Sequence, residues 1–432
     1  MNGWHPLGRT CHIVFSGLLL GALMGCDHGG PAAQHDPPAP VREGPWSLTL
    51  ALGNRSLPAS FSVVHGKGPL HLILENGEER IVVEDVVLKG DSILVQLPLF
   101  ETRLRGVLMG DSVIQGEWAN TIKGPDYIIP FRAQAGRMPS FGEVGSSTLD
   151  LAGNWKTTFS PGDTSNAYPA IGLFERTGDR LRGTFLTETG DYRYLVGAVD
   201  GDSLRLSCFD GSHAFLFLAR MKDDSLHGRF WSGTHWQEPW VAVRDDAFTL
   251  RDPDSLTTLK EGHDMVEFSF PGIDGGDVST QDHRFRNRVL LVQVMGSWCP
   301  NCVDEARLLS EFHRKYHASG LDVVALACER KTREEAIPHL RRWRDKLGVP
   351  YEIAYVGNVT NKGEAHRKLP FLDRLMSYPT CIAIDRSGVV RRIHTGFSGP
   401  GTGEHYRRYK TELEGMIREL LDGSTEVALR SP

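Results

Sequence analysis

Residues 289–305, "VLLVQVMGSWCPNCVDE", decide how the C-terminal part of this chain is read. Val289 to Met295 is an apolar run interrupted only by Gln293, the pattern of a central strand buried on both faces. From residue 303 onward, Val303, Ala306, Leu308 or Leu309, Phe312 and Tyr316 recur at helical spacing. Between strand and helix stand Cys299 and Cys302, separated by Pro300 and Asn301. That order places Cys299 at a helix N-terminus, where free amide groups and the macrodipole favour a thiolate. Pro300 suits the first helical turn because it has no N–H to leave unsatisfied. Cys302 can reach Cys299 but lies deeper in the helix. The pair therefore reads as an exposed attacking thiol and a shielded resolving one.

Two rival chemistries fit less well. Cys299, Cys302, His313 and His317 superficially match a zinc-finger spacing. If residues 302–317 form one helix, however, Cys302 and His313 are separated by about 16 Å of rise, which one tetrahedral ion cannot bridge. The two histidines are then expected on an exposed helix face, and no metal is expected. A peroxidatic cysteine of the Thr-x-x-Cys kind is disfavoured because Gly296 occupies the threonine position.

The surroundings support a redox pair. From Phe248 the chain alternates strand and helix, which argues for an α/β domain over 248–432. "LDVVALACE" reads as a second buried strand, and "REEAIPHLRRWRDKLG" as a helix with Pro338 inside its first turns and Gly348 as its stop. "TCIAIDRSGVVRRIHTG" reads as a hairpin and "GEHYRRYKTELEGMIRELL" as a closing amphipathic helix. Tyr378-Pro379-Thr380 precedes the hairpin, where a cis-proline can abut a dithiol. Glu305 lies three residues past Cys302 on the same helix face, placed to exchange a proton with the resolving thiol. Gln293, the lone polar side chain of its strand, needs a hydrogen-bond partner. Cys208, Cys328 and Cys381 are expected as buried, unpaired thiols.

On these motifs, residues from about 266 to 424 resemble the TlpA/ResA-like family of extracytoplasmic, membrane-anchored thioredoxin-fold reductases. The likeness rests on "VLLVQVMGSWCPNCVDEA", Glu305, the central insert, "SYPT" and "HTGFSGPGTGEHY". It implies a thioredoxin fold without a cofactor, Cys299 as nucleophile, Cys302 as resolver, Pro379 in cis and Glu305 assisting proton transfer. A Cys299–Cys302 disulfide would alternate with the dithiol. Gln293 would belong to the proton path, and Trp298, Pro300, Asn301, Tyr378 and Thr380 would touch substrate. The implied partners are disulfide-bearing proteins and a membrane electron donor. Ala306-Arg307 departs from the family, whose members often carry Pro at this point of the helix.

The remainder sets the context. The chain has 432 residues, too many for one hydrophobic core, and its formal charge of −6 offers no nucleic-acid footprint. Seven scattered cysteines make no disulfide scaffold. Arg9 precedes an apolar run, Ile13 to Met24, too short to span a bilayer and suited to a signal peptide over 1–25. Its end, Leu-Met-Gly-Cys, resembles a bacterial lipobox, with Cys26 as the lipidated residue. Residues 26–44, rich in Pro, Gly and Ala, read as a flexible tether. The expected location is extracytoplasmic, periplasm-facing and membrane-anchored through the lipid.

From residue 45 to 247 short alternating strands recur, and so do their landmarks. Trp46 returns as Trp155, Pro58-Ala59 as Pro169-Ala170, and Gly90-Asp91-Ser92 as Gly201-Asp202-Ser203, at a spacing near 110 residues. Two tandem all-β repeats are expected, 45–137 and 151–247, joined by a linker over 138–150. The expected fold class is thus multidomain: a duplicated all-β region, then a thioredoxin-like α/β domain. Trp231, His235, Trp236 and Trp240 read as core aromatics. A rival reading gives the function to the β repeats, as a surface ligand- or protein-binding lipoprotein.

Overall fold

The computed structural model describes residues 41–66, 69–138, 140–142 and 144–423. The expected signal peptide, Cys26 and the tether as far as residue 40 lie outside the described residues. Among the described residues, no helix is long and apolar enough to cross a membrane.

Alternation of apolar and polar residues builds the N-terminal half as two antiparallel sheets. In the strand Gly44–Leu52, Trp46, Leu48, Leu50 and Leu52 point inward while their neighbours face out. This strand pairs with Arg55–Val64 on one side and Ile128–Ala135 on the other. The first sheet has nine strands, each joined to its sequence neighbour, except that no ladder links Glu79–Val83 to Val86–Lys89. The second sheet also has nine strands, and there the ring closes: Arg180–Thr187 pairs with both Tyr168–Thr177 and Leu195–Asp200, and Trp236–Arg244 returns to Asn154–Phe159. Trp46 and Trp155 make the same local bond, each indole N–H donating to the carbonyl four residues earlier, Arg42 and Leu151. The second barrel is filled by stacked rings, with Phe217 4.4 Å from Phe230 and 4.8 Å from Phe185 between centroids. Such an interior is a packed core rather than a ligand cavity.

The C-terminal domain is a five-stranded sheet in the order Glu352–Asn358, Leu321–Glu329, Val289–Met295, Thr380–Ile384, Val390–Thr395. The first three strands are parallel and the last two antiparallel. Four helices flank it: α1 (Pro300–Tyr316), α2 (Arg333–Leu347), α3 (Lys362–Lys368) and α4 (Glu404–Asp422). Val289, Leu291 and Met295 pack with α1, α2 and α4, while Leu290, Val292 and Val294 pack on the opposite face with α3. The period of two along that strand therefore turns Gln293 toward α1. A capping box between Thr332 and Glu335 starts α2, and Gly348, at φ 62°, ends it.

All described residues fall in one unit, and its three parts interlock. The turn after Ser203–Phe209 enters the first barrel, where Phe209, Ala214 and Leu216 join the core. Buried Asn76 and Asn120 satisfy that turn, donating to the carbonyls of Phe209 (3.0 Å) and Ser212 (3.2 Å). Leu99 and Phe100 of the first barrel join the core of the C-terminal domain.

At the junction lies Arg193, 5% exposed. Its guanidinium pairs with Glu79 of the first barrel and Asp304 of α1, and its Nε lies 3.5 Å from Asp210. Burial pushes the Glu79 and Asp191 carboxyls up, whereas His213 and Arg193 hold Asp210 below the usual carboxylate range. Removing the cation strands several carboxylates in a dry place. Arg193→Met should therefore destabilise the full chain by about 3–5 kcal/mol in urea unfolding.

Candidate active site

The dithiol is set by the start of α1. Cys299 is its N-cap residue, at φ −104° and ψ 111°. Its sulfur accepts the amide N–H of Cys302 at 3.2 Å, and its carbonyl accepts from Cys302 (3.1 Å) and Val303 (3.2 Å). On the other side the Cys299 thiol donates to the carbonyl of Tyr378 at 3.6 Å. The Tyr378–Pro379 peptide is cis. Both cysteines are free thiols. Gly296 accepts the amide of Cys299, and a Cβ at Gly296 would fall 2.4 Å from the indole Nε1 of Trp298. A threonine cannot occupy that position without displacing the tryptophan, so the loop is built against the peroxidatic arrangement.

Behind the dithiol lies a buried acid. Glu305 and Gln293 are both fully buried. Gln293 Nε2 donates to Glu305 Oε2 (2.9 Å) and to the carbonyl of Cys302 (3.1 Å), linking strand, helix and Cys302. Burial pushes the Glu305 carboxyl up to about 8, against Gln293 and Tyr409, which favour the anion. The Cys302 thiol is raised well above its ordinary value, first by burial and then by Cys299. Glu305 is thus not an ordinary solvated acid of a helix start.

The exposed side is framed by Trp298, Tyr378 and Arg330. The rings of Trp298 and Tyr378 meet edge to face at 5.3 Å, and the Arg330 guanidinium lies 4.1 Å over Trp298. A groove of about 290 Å³ opens here, lined by Trp298, Arg330, Thr360, Lys362, Tyr378 and Thr189 of the second barrel. Thr189 arrives on the hairpin joining Arg180–Thr187 to Gly190–Asp191. Its carbonyl accepts the Ser377 hydroxyl at 2.6 Å. The Asp191 carboxylate accepts the amide of Gly399 at 2.6 Å. Gly190, at φ 140°, lies so near Asn301 that a Cβ would fall 2.4 Å from its Nδ2. Pro300 is buried in the first turn of α1, and Thr380, buried, donates from its hydroxyl to the carbonyl of Ser377 at 2.9 Å.

Several expectations need correction. Cys299 is only 7% exposed, because its sulfur is turned under the Tyr378 loop. His313 is buried rather than on a solvated face: it lies 3.6 Å from Asp322, and the Arg288 guanidinium holds Asp322 beside His317. Trp240 is core, but Trp236 is 49% exposed, its indole donating to Glu238 at 3.1 Å. Cys208, Cys328 and Cys381 are free and buried, and burial pushes Cys328 up to about 12. Sequence reasoning missed Asp304, Arg193, Thr189, Arg330 and Glu329. Glu329 accepts both the amide (2.9 Å) and the hydroxyl (2.8 Å) of Ser297, bracing the loop before the dithiol. Its signal was available, as the acid that ends an apolar run.

Residues 262–393 match the AhpC/TSA family. The chain is 26% identical to the "Thioredoxin-like protein YneN" of Bacillus subtilis over 138 residues, 32% of this chain and 73% of that protein. It is 25% identical to the "Thiol:disulfide interchange protein DsbE" of Vibrio cholerae over 145 residues, 34% of this chain and 70% of that protein. A solved structure of a putative DsbE from Chlorobium tepidum aligns at 25% identity and a TM-score of 0.30, covering 38% of this chain and 99% of that one. The family match and the two relatives make the C-terminal region homologous to thioredoxin-like thiol–disulfide oxidoreductases.

The buried acid makes stability depend on pH. A carboxyl that titrates near 8 when folded and near 4.5 when unfolded keeps its proton in the native chain across that window. Its stabilising contribution is complete below the lower value and is lost as pH rises through the upper one. Glu305→Gln, neutral throughout, should lose less stability between about pH 5 and about pH 8.5 than the unmodified chain, by a few kcal/mol in urea melts. Parallel pH profiles for the two proteins would refute the buried-acid assignment.

Proposed function

We propose that this chain is a membrane-anchored, extracytoplasmic thiol–disulfide oxidoreductase that reduces protein disulfides through Cys299 and Cys302. The observation that carries the reading is the Cys299 sulfur seated between the Cys302 amide and the Tyr378 carbonyl, with a buried carboxyl behind it. The homology of residues 262–393 supports the same chemistry.

The Cys299 thiolate attacks one sulfur of a substrate disulfide. A mixed disulfide forms and the first substrate thiolate leaves. Cys302, its proton passed to Glu305 in the fraction of chains where that buried carboxyl is ionised, then attacks the Cys299 sulfur and releases the second substrate thiolate. The chain loses two electrons to the substrate, and the two departing thiolates take up the proton left on Glu305 and one from solvent, which received the Cys299 proton. Gln293 holds the Glu305 carboxylate toward the resolving cysteine. Trp298 and Tyr378 form the docking face beside the dithiol; Pro300 and Thr380, expected there as well, are buried, and Asn301 lies under the barrel hairpin. A dithiol donor at the membrane restores the reduced pair, and lipid on Cys26 keeps the chain near that donor.

In non-reducing gels of variants expressed outside the cytoplasm, Cys302→Ala should accumulate mixed disulfides through Cys299, while Cys299→Ala should trap little. Glu305→Gln should still form them but slow turnover, by about 100-fold or more for a lost proton acceptor. Equal trapping by both cysteine variants would overturn the assigned roles.

A further inference from the structure

The groove beside Cys299 has an unusual balance of charge. Arg330 and Lys362 both face it, and neither has a carboxylate partner among the described residues. Arg330 is stacked on Trp298, and Lys362 donates to the carbonyl of Met376. Nearby acids are committed elsewhere. Glu329 is turned inward onto Ser297. Glu364 accepts from the amide (2.7 Å) and hydroxyl (2.9 Å) of Thr360. Glu188, beside Thr189, is gripped by both arms of the Arg251 guanidinium at 2.7 and 2.5 Å. Arg330 and Lys362 are both exposed at the rim of the groove.

The opposite side of the dithiol is closed. Thr189, Gly190 and Asp191 of the second barrel contact Ser377, Asn301 and Gly399. The Arg193–Asp304 ion pair, two residues further along the hairpin strand, holds that tip against α1. A partner therefore has one free approach to Cys299, along Trp298 and Tyr378 past the two cations.

We infer that the disulfide taken by this site lies in an acidic, extended protein segment, which docks between Trp298, Tyr378 and Lys362 with the barrel hairpin as the far wall. This rests on the dithiol-exchange reading above and adds the class of substrate to it. The barrels thereby act in substrate choice, by removing every approach except the cationic one. Charge complementarity of this kind acts mainly on the rate of encounter and weakens as salt screens it.

The test uses the reduced full chain and two peptides with the same disulfide loop, one flanked by Asp and Glu and the other by Lys. Peptide reduction is followed by chromatography under pseudo-first-order conditions. The acidic peptide should react about tenfold faster at low ionic strength, and the advantage should shrink in about 0.5 M salt. Arg330→Glu/Lys362→Glu should abolish or reverse the preference, and the salt series on the unmodified chain stands even if that variant folds poorly. Equal rates for both peptides at low salt would overturn the inference while leaving dithiol exchange intact. Reduction of neither peptide would overturn the exchange reading and this inference with it. Oxidised glutathione reduced as fast as the acidic peptide would overturn the requirement for an extended segment.

Discussion

The ion pair between Arg193 and Asp304 fixes the second barrel against helix α1 across 111 residues of chain. Asp304 stands in α1, between Cys302 and the buried Glu305, and Arg193 belongs to the second barrel. The same guanidinium reaches Glu79 of the first barrel. A buried cation among carboxylates repays its desolvation only when the geometry is maintained. The pair therefore does more to fix position than to add net stability. It sets where the barrel hairpin lies over the redox face, and hence which surface of the dithiol meets a partner.

Helix α1 uses each of its faces for a different task. Its N-terminal amides point at the Cys299 sulfur. Its inward face carries Glu305, kept dry by the strand behind it and oriented by Gln293. Its barrel-facing side carries Asn301 and Asp304. The spacing of Asp304 and Glu305, adjacent in sequence and about 100° apart around the helix, sends one acid to an ion pair and the other to the thiol. Asp304 meets a guanidinium, whereas Glu305, in a dry site beside the Gln293 amide, keeps its proton to a higher pH. Two neighbouring carboxyl side chains are in this way given different surroundings by their place around the helix.

The elements of the redox domain were legible in the sequence because each is announced locally. The apolar run of Val289 to Met295, the helical spacing after Cys302, and the Gly348 stop all report interactions within a few residues. Gln293 and Glu305 were visible as polar exceptions inside apolar patterns. The placing of the barrel hairpin was not legible. Thr189 and Gly190 look like any polar turn, and their contacts with Ser377 and Asn301 span more than a hundred residues without a periodic trace. Arg193 was hidden for the same reason: a single arginine in a strand is usually solvated, and only the fold brings three acids around it. The low exposure of Cys299 follows from the Tyr378 loop, again a contact that the spacing of the two cysteines does not encode. The β character of residues 45–247 was anticipated, but the strand orders and the open seam between Glu79–Val83 and Val86–Lys89 were not.

The central claim is that Cys299 and Cys302 form a reversible two-electron couple while the other thiols in the fold stay silent. It is tested most directly by equilibrating the full chain in dithiothreitol buffers of graded potential, alkylating, and mapping the modified peptides by mass. The account predicts one two-electron transition in which only Cys299 and Cys302 become linked, with Cys208, Cys328 and Cys381 alkylated only after denaturation at every potential. Persistent thiols at both positions across the whole range, or oxidation of Cys299 to a sulfinic acid in place of a link to Cys302, would contradict it.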